Sequence, residues 1–137
     1  MPARIEEELK KLIKLKFEVS HMSNAKWRKL FTALDPVEIR AAYWKFVDLD
    51  SEFQDRFIKS DALMDKFVGD TGLIVGPFAY RRIEWLEIPI IAKDPIEPKV
   101  PFLNFEQNIQ QIEVILNSIG HFKILKTKRG LRIVGHE

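Results

Sequence analysis

The sequence predicts a single α+β domain in which helices pack on one side of an antiparallel sheet. Three observations support this fold class. Apolar residues recur at helical spacing in three segments, short β-rich segments lie between them, and the last helix is followed by a β-hairpin. The length of 137 residues fits one domain, residues 1–137, that buries about two thirds of its unfolded surface.

The first two predicted elements are amphipathic helices. Residues 3–18 carry apolar side chains every three to four positions, with acids early and lysines late, as the helix dipole favours. A second helix is predicted from Asn24, a residue type favoured at the N-cap, to about Leu34. The Asp35-Pro36 pair ends this helix, because the residue before a proline avoids helical angles.

The middle of the chain predicts strands with a helical interruption. Residues 37–47 are apolar on both faces, which suits a doubly buried strand or a short helix, and the strand is favoured. The four-residue spacing of Phe53 with Phe57, and of Leu63-Met64 with Phe67-Val68, predicts one or two short helical turns. Residues 73–75 and 78–88 then predict two strands paired antiparallel.

The strand over residues 78–88 contains a predicted β-bulge. Ile83 and Trp85 should point to one face and Glu84 to the other. The apolar set then shifts by one residue to Leu86, which indicates a bulge near Trp85–Leu86. This pattern predicts that Trp85, like the other tryptophans, lies in the interior.

The last third predicts a helix followed by a hairpin. Asn104 is a candidate N-cap, and Gln107 three residues later completes a capping-box pattern. Two alternating strands, 122–127 and 131–135, flank a turn in which Gly130 should take the left-handed conformation.

Composition excludes several classes of protein. The chain has no cysteine, which excludes disulfides, thiol catalysis and cysteine-type zinc sites. No apolar run approaches the roughly 20 residues needed to cross a bilayer, and the acidic N-terminal segment does not match a secretory signal. We therefore expect a cytoplasmic protein with no membrane partner and no cofactor.

The net charge of +2 hides an uneven distribution along the chain. Residues 1–34 hold eight basic and four acidic side chains, whereas residues 35–70 hold five basic and nine acidic ones. Segregated charge usually marks a solvated face, but it also steers charged partners together.

Acidic side chains form the first candidate binding site. A loop over residues 48–55 lacks the glycine and the final glutamate of a calcium loop, so an EF-hand is excluded. The two strand glutamates, three residues apart, could serve a metal ion only if the bulge brings them together. The candidate partner-binding residues are Asp48, Asp50, Glu52, Asp55, Glu84 and Glu87.

Basic side chains on the terminal hairpin form the alternative site. Basic hairpins can follow the phosphates of a nucleic acid, but no exposed aromatic residue for base stacking is predicted beside this one. The candidate nucleic-acid-binding residues are Lys126, Lys128, Arg129 and Arg132.

Catalytic motifs are absent from the sequence. The glycine clusters lack the lysine-serine pair of a phosphate loop, and the serines lack nucleophile-elbow glycines. His21, His121 and His136 show no metal-ligand spacing and are expected on the surface or in loops. We therefore predict no catalytic residues and no metal site.

Two tryptophan-centred strings carry a resemblance to a known family. Asn24–Phe31 (NAKWRKLF) and Ile83–Ile88 (IEWLEI) resemble an uncharacterised bacterial family of small stand-alone proteins. The resemblance covers most of residues 21–137, whereas the first helix and the acidic stretch 48–70 have no counterpart in it. It implies a bacterial, cytosolic, single-domain accessory protein and brings no catalytic residues.

These observations favour a non-catalytic binding protein of the toxin-immunity type. Such a protein neutralises a cognate toxin domain by covering its active site with a rigid, charge-complementary surface. The alternatives are an RNA-binding or nucleic-acid-binding accessory protein that uses the basic hairpin, and a small metal-dependent hydrolase or nuclease that uses the glutamates.

Overall fold

The computed structural model describes residues 3–70, 76–94, 97, 99–100 and 104–137, and it confirms the predicted α+β fold. A five-stranded antiparallel sheet has the strand order β2-β1-β5-β9-β8, and two short ribbons, β3-β4 and β6-β7, flank it. The helices are α1 (Ala3–Lys16), α2 (Asn24–Leu34) and α3 (Ile109–Ile119). The strands are β1 (Ala41–Phe46), β2 (Phe53–Arg56), β3 (Phe67–Val68), β4 (Phe78–Ala79), β5 (Ile83–Pro89), β6 (Ile91–Ala92), β7 (Phe105–Glu106), β8 (Ile124–Lys126) and β9 (Gly130–Val134).

Helices α2 and α3 cover one face of the sheet. Trp27 and Phe31 of α2 stack with ring centroids 5.7 Å apart, and Phe31 stacks on Trp44 of β1 at 6.2 Å. Leu116 of α3 is fully buried in the same cluster. Each large side chain buried in this way contributes about 1.5–3 kcal/mol. None of the helices in the described residues has the length and apolar character that crossing a bilayer requires.

Helix α1 packs separately from this main core. Its Leu9 lies against Val47 and Ala79, and the Lys16 ammonium donates a hydrogen bond of 2.8 Å to the Val47 carbonyl. The helix ends at Lys16 rather than Glu18, because the Glu18 amide instead bonds the carbonyl of residue 137 at 2.9 Å.

Two predicted helix caps are wrong by a few residues. The N-cap of α2 is Ser23, whose hydroxyl accepts the Lys26 amide at 3.1 Å, so Asn24 becomes the first helical residue. Helix α3 is capped by Asn108 and not by Asn104. Each helix has two candidate caps within four residues, and a capping motif alone does not choose between them.

Gln107 has a tertiary role in place of the predicted capping box. Its carbonyl oxygen accepts the Arg40 amide at 2.8 Å, and its nitrogen donates to the Pro89 carbonyl at 2.8 Å and the Ala41 carbonyl at 3.2 Å. Gln107 is 2% exposed. It therefore joins the start of β1, the end of β5 and the segment that follows β7.

The segment around Phe53 is a strand and not the predicted helical turns. Phe53 pairs with Trp44 across β1 and β2 and packs edge-on against Phe46, with centroids 5.3 Å apart. The helical prediction is wrong at Phe53, because pairing with β1 overrides the local four-residue spacing. One short helical turn does form farther along the region, as a 3₁₀ turn at Ser60–Ala62.

The long strand predicted over residues 78–88 is divided in two. A 3₁₀ turn at Tyr80–Arg82 separates β4 from β5, and the Tyr80 hydroxyl donates to the Met64 carbonyl at 2.7 Å. Strand β4 pairs with β3, whereas β5 pairs with β1 and β9. The strand predicted at 73–75 lies outside the described residues.

Gly130 is required for a different reason than the one predicted. Among the described residues only Gly76 lies in the left-handed region of φ, so the left-handed conformation predicted for Gly130 is wrong. A Cβ atom at Gly130 would lie 2.1 Å from the Ile88 carbonyl oxygen. The glycine permits β9 to approach the end of β5 closely.

Candidate functional site

The predicted bulge in β5 exists, but it lies one residue earlier. Lys45 pairs with Trp85, and the next residue, Phe46, pairs with Ile83. Glu84 is therefore the extra residue of the bulge. Because the bulge precedes Trp85 instead of following it, Trp85 points away from Ile83 and the helices, and the prediction that Trp85 lies in the interior is wrong.

The face of the sheet opposite α2 and α3, called the outer face below, carries one continuous row of side chains. Gln54 pairs with Tyr43, Tyr43 with Glu87, Glu87 with Arg132, and Arg132 with Leu125. The row crosses all five strands in order. Side chains directly opposite each other on one face lie within contact distance, so the row forms a connected surface.

A buried carboxylate organises the centre of this face. Glu87 is 0% exposed and lies between two guanidinium groups. Arg132 Nε donates to one carboxylate oxygen at 3.0 Å, and Arg129 Nε donates to the other. Arg129 comes from the β8–β9 turn and also pairs with Glu52 at 2.7 Å. Burial by itself lowers the pKa of the Arg129 guanidinium, but the hydrogen bonds and charges of Glu52 and Glu87 outweigh it and raise the pKa, so the group stays charged.

Each of the two arginines bound to Glu87 also lies over an aromatic ring. The Arg129 guanidinium carbon is 3.6 Å from the centroid of Tyr43, and that of Arg132 is 3.8 Å from the centroid of Trp85. Both rings are only partly buried. Stacking and the shared carboxylate together hold the arginines in fixed conformations while leaving some of their N–H donors open.

The acidic candidates do not form one patch. Asp48 pairs with Arg82 at 2.8 Å, and Glu84 pairs with Lys45 at 3.1 Å. Asp50 is exposed, whereas Asp55 is 5% exposed within β2 and is not on the surface. Glu52 and Glu87 belong to the arginine network described above, so most of these acids are balanced by a nearby cation.

The basic candidates also do not form one patch, because they belong to different ion pairs. Arg129 and Arg132 are bound to Glu87, and Lys126 pairs with Glu113 at 3.4 Å. Lys128 is exposed in the hairpin turn. The structure thus joins residues from the two competing binding sites into one surface of mixed charge.

The glutamates of β5 engage different cations. Glu84 bonds the Lys45 ammonium, and Glu87 bonds two arginines. Within the described ranges, no group of three or more histidine, aspartate or glutamate side chains is placed to hold a metal ion.

His136 differs from its sequence prediction, because it is 6% exposed instead of lying on the surface. The Ser20 hydroxyl lies 2.7 Å from its Nδ1, and its Nε2 lies 2.8 Å from the Arg81 carbonyl oxygen. A carbonyl oxygen can only accept, so Nε2 carries the proton and Nδ1 accepts from Ser20. Burial lowers the pKa of His136, which favours the neutral ring.

Sequence reasoning missed the two aromatic members of the outer face, Tyr43 and Trp85. The signal was available in β1, where Tyr43 and Lys45 alternate with three apolar residues that face the helices. The same signal in β5 was obscured, because the position of the bulge decides on which side Trp85 lies.

Comparison of the chain with protein-family models, curated proteins and solved structures finds no match. The resemblance of the two tryptophan strings to an uncharacterised bacterial family therefore stays a prediction.

Proposed function

We propose that this protein is a non-catalytic binding protein of the toxin-immunity type, which covers a cognate bacterial toxin domain with its outer face. The observation that carries the proposal is the pair of arginines stacked on Tyr43 and Trp85 and fixed by buried Glu87. Tyrosine, tryptophan and arginine are the residues most enriched at the energetic centres of protein interfaces.

The fixed conformations of these side chains favour binding. An interface side chain that must be immobilised costs about 0.5–1.5 kcal/mol in lost rotamer freedom. Arg129 and Arg132 are already held by Glu87, so little of this cost remains for a partner to overcome. Their open N–H donors suit a carboxylate or a backbone carbonyl on the toxin domain.

Charge balance favours a protein partner over a nucleic acid at this surface. Phosphate binding draws on cations that are free to replace the counterions of the nucleic acid. On the hairpin, Arg129 and Arg132 are already neutralised by Glu87 and Glu52, and Lys126 lies beside Glu113. We propose a bacterial toxin as this partner, and with it a cytoplasmic location and no catalytic role.

Site-specific photo-cross-linking in the source bacterium tests the proposal. A photoreactive residue at Leu125, which is 42% exposed on the outer face, should capture one protein. The same residue at Val114, which is 68% exposed on α3, is the matched control and should not. The captured protein should arrest growth when it is expressed alone, and co-expression of this chain should restore growth.

Calorimetry with the purified partner then tests the individual residues. Arg132→Ala and Trp85→Ala should each weaken binding at least about tenfold, as interface hot spots do. Arg40→Ala is the matched control, because Arg40 also lies over an aromatic ring, Phe105 at 4.0 Å, but outside the outer row. Wild-type affinity in Arg132→Ala, or a partner whose toxicity is not relieved, contradicts the proposal.

A further inference from the structure

A groove lies between α1 and α2. Its volume is about 900 Å³, and Lys66, Arg81 and His136 complete its walls. This is within the usual range of roughly 300–1,000 Å³ for small-molecule sites. The groove shares no lining residue with the outer face, so its role is separate from the proposed toxin contact.

The walls of this groove carry an excess of positive charge. Six basic side chains line it against two acidic ones. Both acids are engaged by cations, since Glu7 lies 3.5 Å from Lys10 and Asp65 lies 3.6 Å from Arg28. Within the described part of the chain, four cations of the groove have no ion-pair partner: Lys11, Lys14, Lys66 and Arg81.

Cations that line one groove without ion-pair partners among the described residues attract anions. Like charges repel when no counter-charge lies among them, and low-dielectric walls strengthen the field in the space between them. A ligand with two or more negative charges would relieve this repulsion. The more apolar part of the lining, which includes Ile13, Met22 and Ala25, would then contact an uncharged portion of the ligand.

The chemistry of the wall on the α2 side fits a phosphate in particular. Ser23 caps this helix, and the Lys26 and Trp27 amides are bonded to it, at 3.1 Å in each case. No hydrogen-bond acceptor is found among the described residues for the amides of Asn24 and Ala25, two residues that line the groove. Backbone amides at the start of a helix bind phosphate oxygens and add to the attraction of the lysines.

We propose that the α1–α2 groove binds a phosphorylated small molecule of nucleotide size. The four unpaired cations bind its phosphate groups, and the aliphatic residues of the groove contact its organic portion. This activity is additional to toxin neutralisation and does not depend on it.

Thermal unfolding with defined phosphate probes tests this proposal. Inorganic pyrophosphate and ADP should each raise the Tm in a saturable way, because a ligand that binds only the folded state stabilises it. Sodium sulfate at the same ionic strength should give a smaller shift without saturation. Lys14→Ala and Lys66→Ala, both at exposed positions, should each weaken pyrophosphate binding about fivefold or more.

Lys128→Ala is the matched control, since Lys128 is an exposed lysine of the terminal hairpin and does not line the groove. It should bind pyrophosphate as the wild type does. The proposal is overturned if sulfate matches pyrophosphate, or if all three lysine variants lose affinity equally, since both results mean general screening of charge. It is also overturned if a single-stranded DNA oligonucleotide binds at the groove and neither pyrophosphate nor ADP does.

Discussion

The outer face and the α1–α2 groove both contain clustered basic side chains, but among the described residues their pairing with carboxylates is more complete on the outer face. On the outer face, Arg129 and Arg132 share a buried carboxylate and stack on rings, so their positions are fixed. In the groove, residues such as Lys14 and Lys66 have no ion-pair partner among the described residues. The comparison teaches that pairing, more than the number of cations, decides whether a basic surface is built for rigidity or for attracting anions.

Removal of the shared carboxylate is expected to have the largest effect. Glu87→Ala leaves two arginines without their central partner, and breaking a buried ion pair typically costs about 3–5 kcal/mol. We expect the lower end of that range, because the two arginine side chains are 35% and 29% exposed and solvent screens them in part. Urea unfolding measures the loss.

Glu52→Ala is the control for this substitution, because Glu52 is 39% exposed and contacts only Arg129 among the arginines of the outer face. It should cost less than about 1 kcal/mol. Equal losses in the two variants would mean that Glu87 is an ordinary surface acid.

Gly130→Ala should destabilise the protein by displacing the start of β9 from the end of β5. The new Cβ would meet the Ile88 carbonyl oxygen and the Pro89 Cα at 2.1 and 2.7 Å, so backbone must move. Overpacking of this kind costs about 1–3 kcal/mol. Gly120→Ala is the control, because its nearest neighbours lie at 3.6 Å or more, in ordinary contact. A similar stability change for the two glycines, measured by thermal unfolding, would contradict the close approach of β9 to β5.

His136 should make the wall of the groove sensitive to pH. Its folded pKa is lowered from 6.5 mainly by burial, with opposing effects from Arg81 and Glu84. The unfolded chain then binds the proton more readily, so stability is complete above pH 6.5 and falls as the pH drops below it. The loss amounts to about 1.4 kcal/mol for each unit by which the pKa is lowered.

The measurement for His136 is the free energy of unfolding in urea between pH 7.5 and 5. His136→Gln should reduce its slope with pH over this interval, whereas His121→Gln, at an exposed position, should retain the wild-type slope. An unchanged slope in His136→Gln would show that the ring does not titrate differently on folding.

The smallest expected effect concerns the unpaired lysines. Lys14→Ala should change the free energy of unfolding by less than about 0.5 kcal/mol, because the side chain is exposed and has no ion-pair partner in the described ranges. Arg132→Ala should cost about 1–3 kcal/mol, since it removes a donor from buried Glu87. If the two variants lose equal stability, the paired arginines of the outer face do not stabilise the fold more than the unpaired lysines of the groove.

Local patterns in the sequence were sufficient for the elements that depend on periodicity. Side-chain spacing was enough to predict the apolar stripe of α2 and the strand β1. It also placed the last helix directly before a hairpin. The segment at Phe53 failed, because pairing with Trp44 is a long-range contact that a four-residue spacing cannot reveal.

The candidate site was predictable as a set of residues but not as an arrangement. Glu52, Glu87, Arg129 and Arg132 were all identified from their charge, yet they were assigned to two different partners. Their common network depends on strand order, which places β5 beside β9, and on the single-residue bulge at Glu84. A one-residue difference in bulge position moves a whole side-chain set across a sheet, and composition does not fix that position.

The Gln107 side chain makes misaligned forms of the sheet less stable. Its amide is satisfied only when the start of β1 and the end of β5 stand at their correct relative positions. A slip of β1 by one residue would leave a buried donor and a buried acceptor without partners, at a cost of about 1–3 kcal/mol for each. One uncharged side chain therefore adds its own penalty to that of the displaced apolar residues in misaligned forms of the sheet.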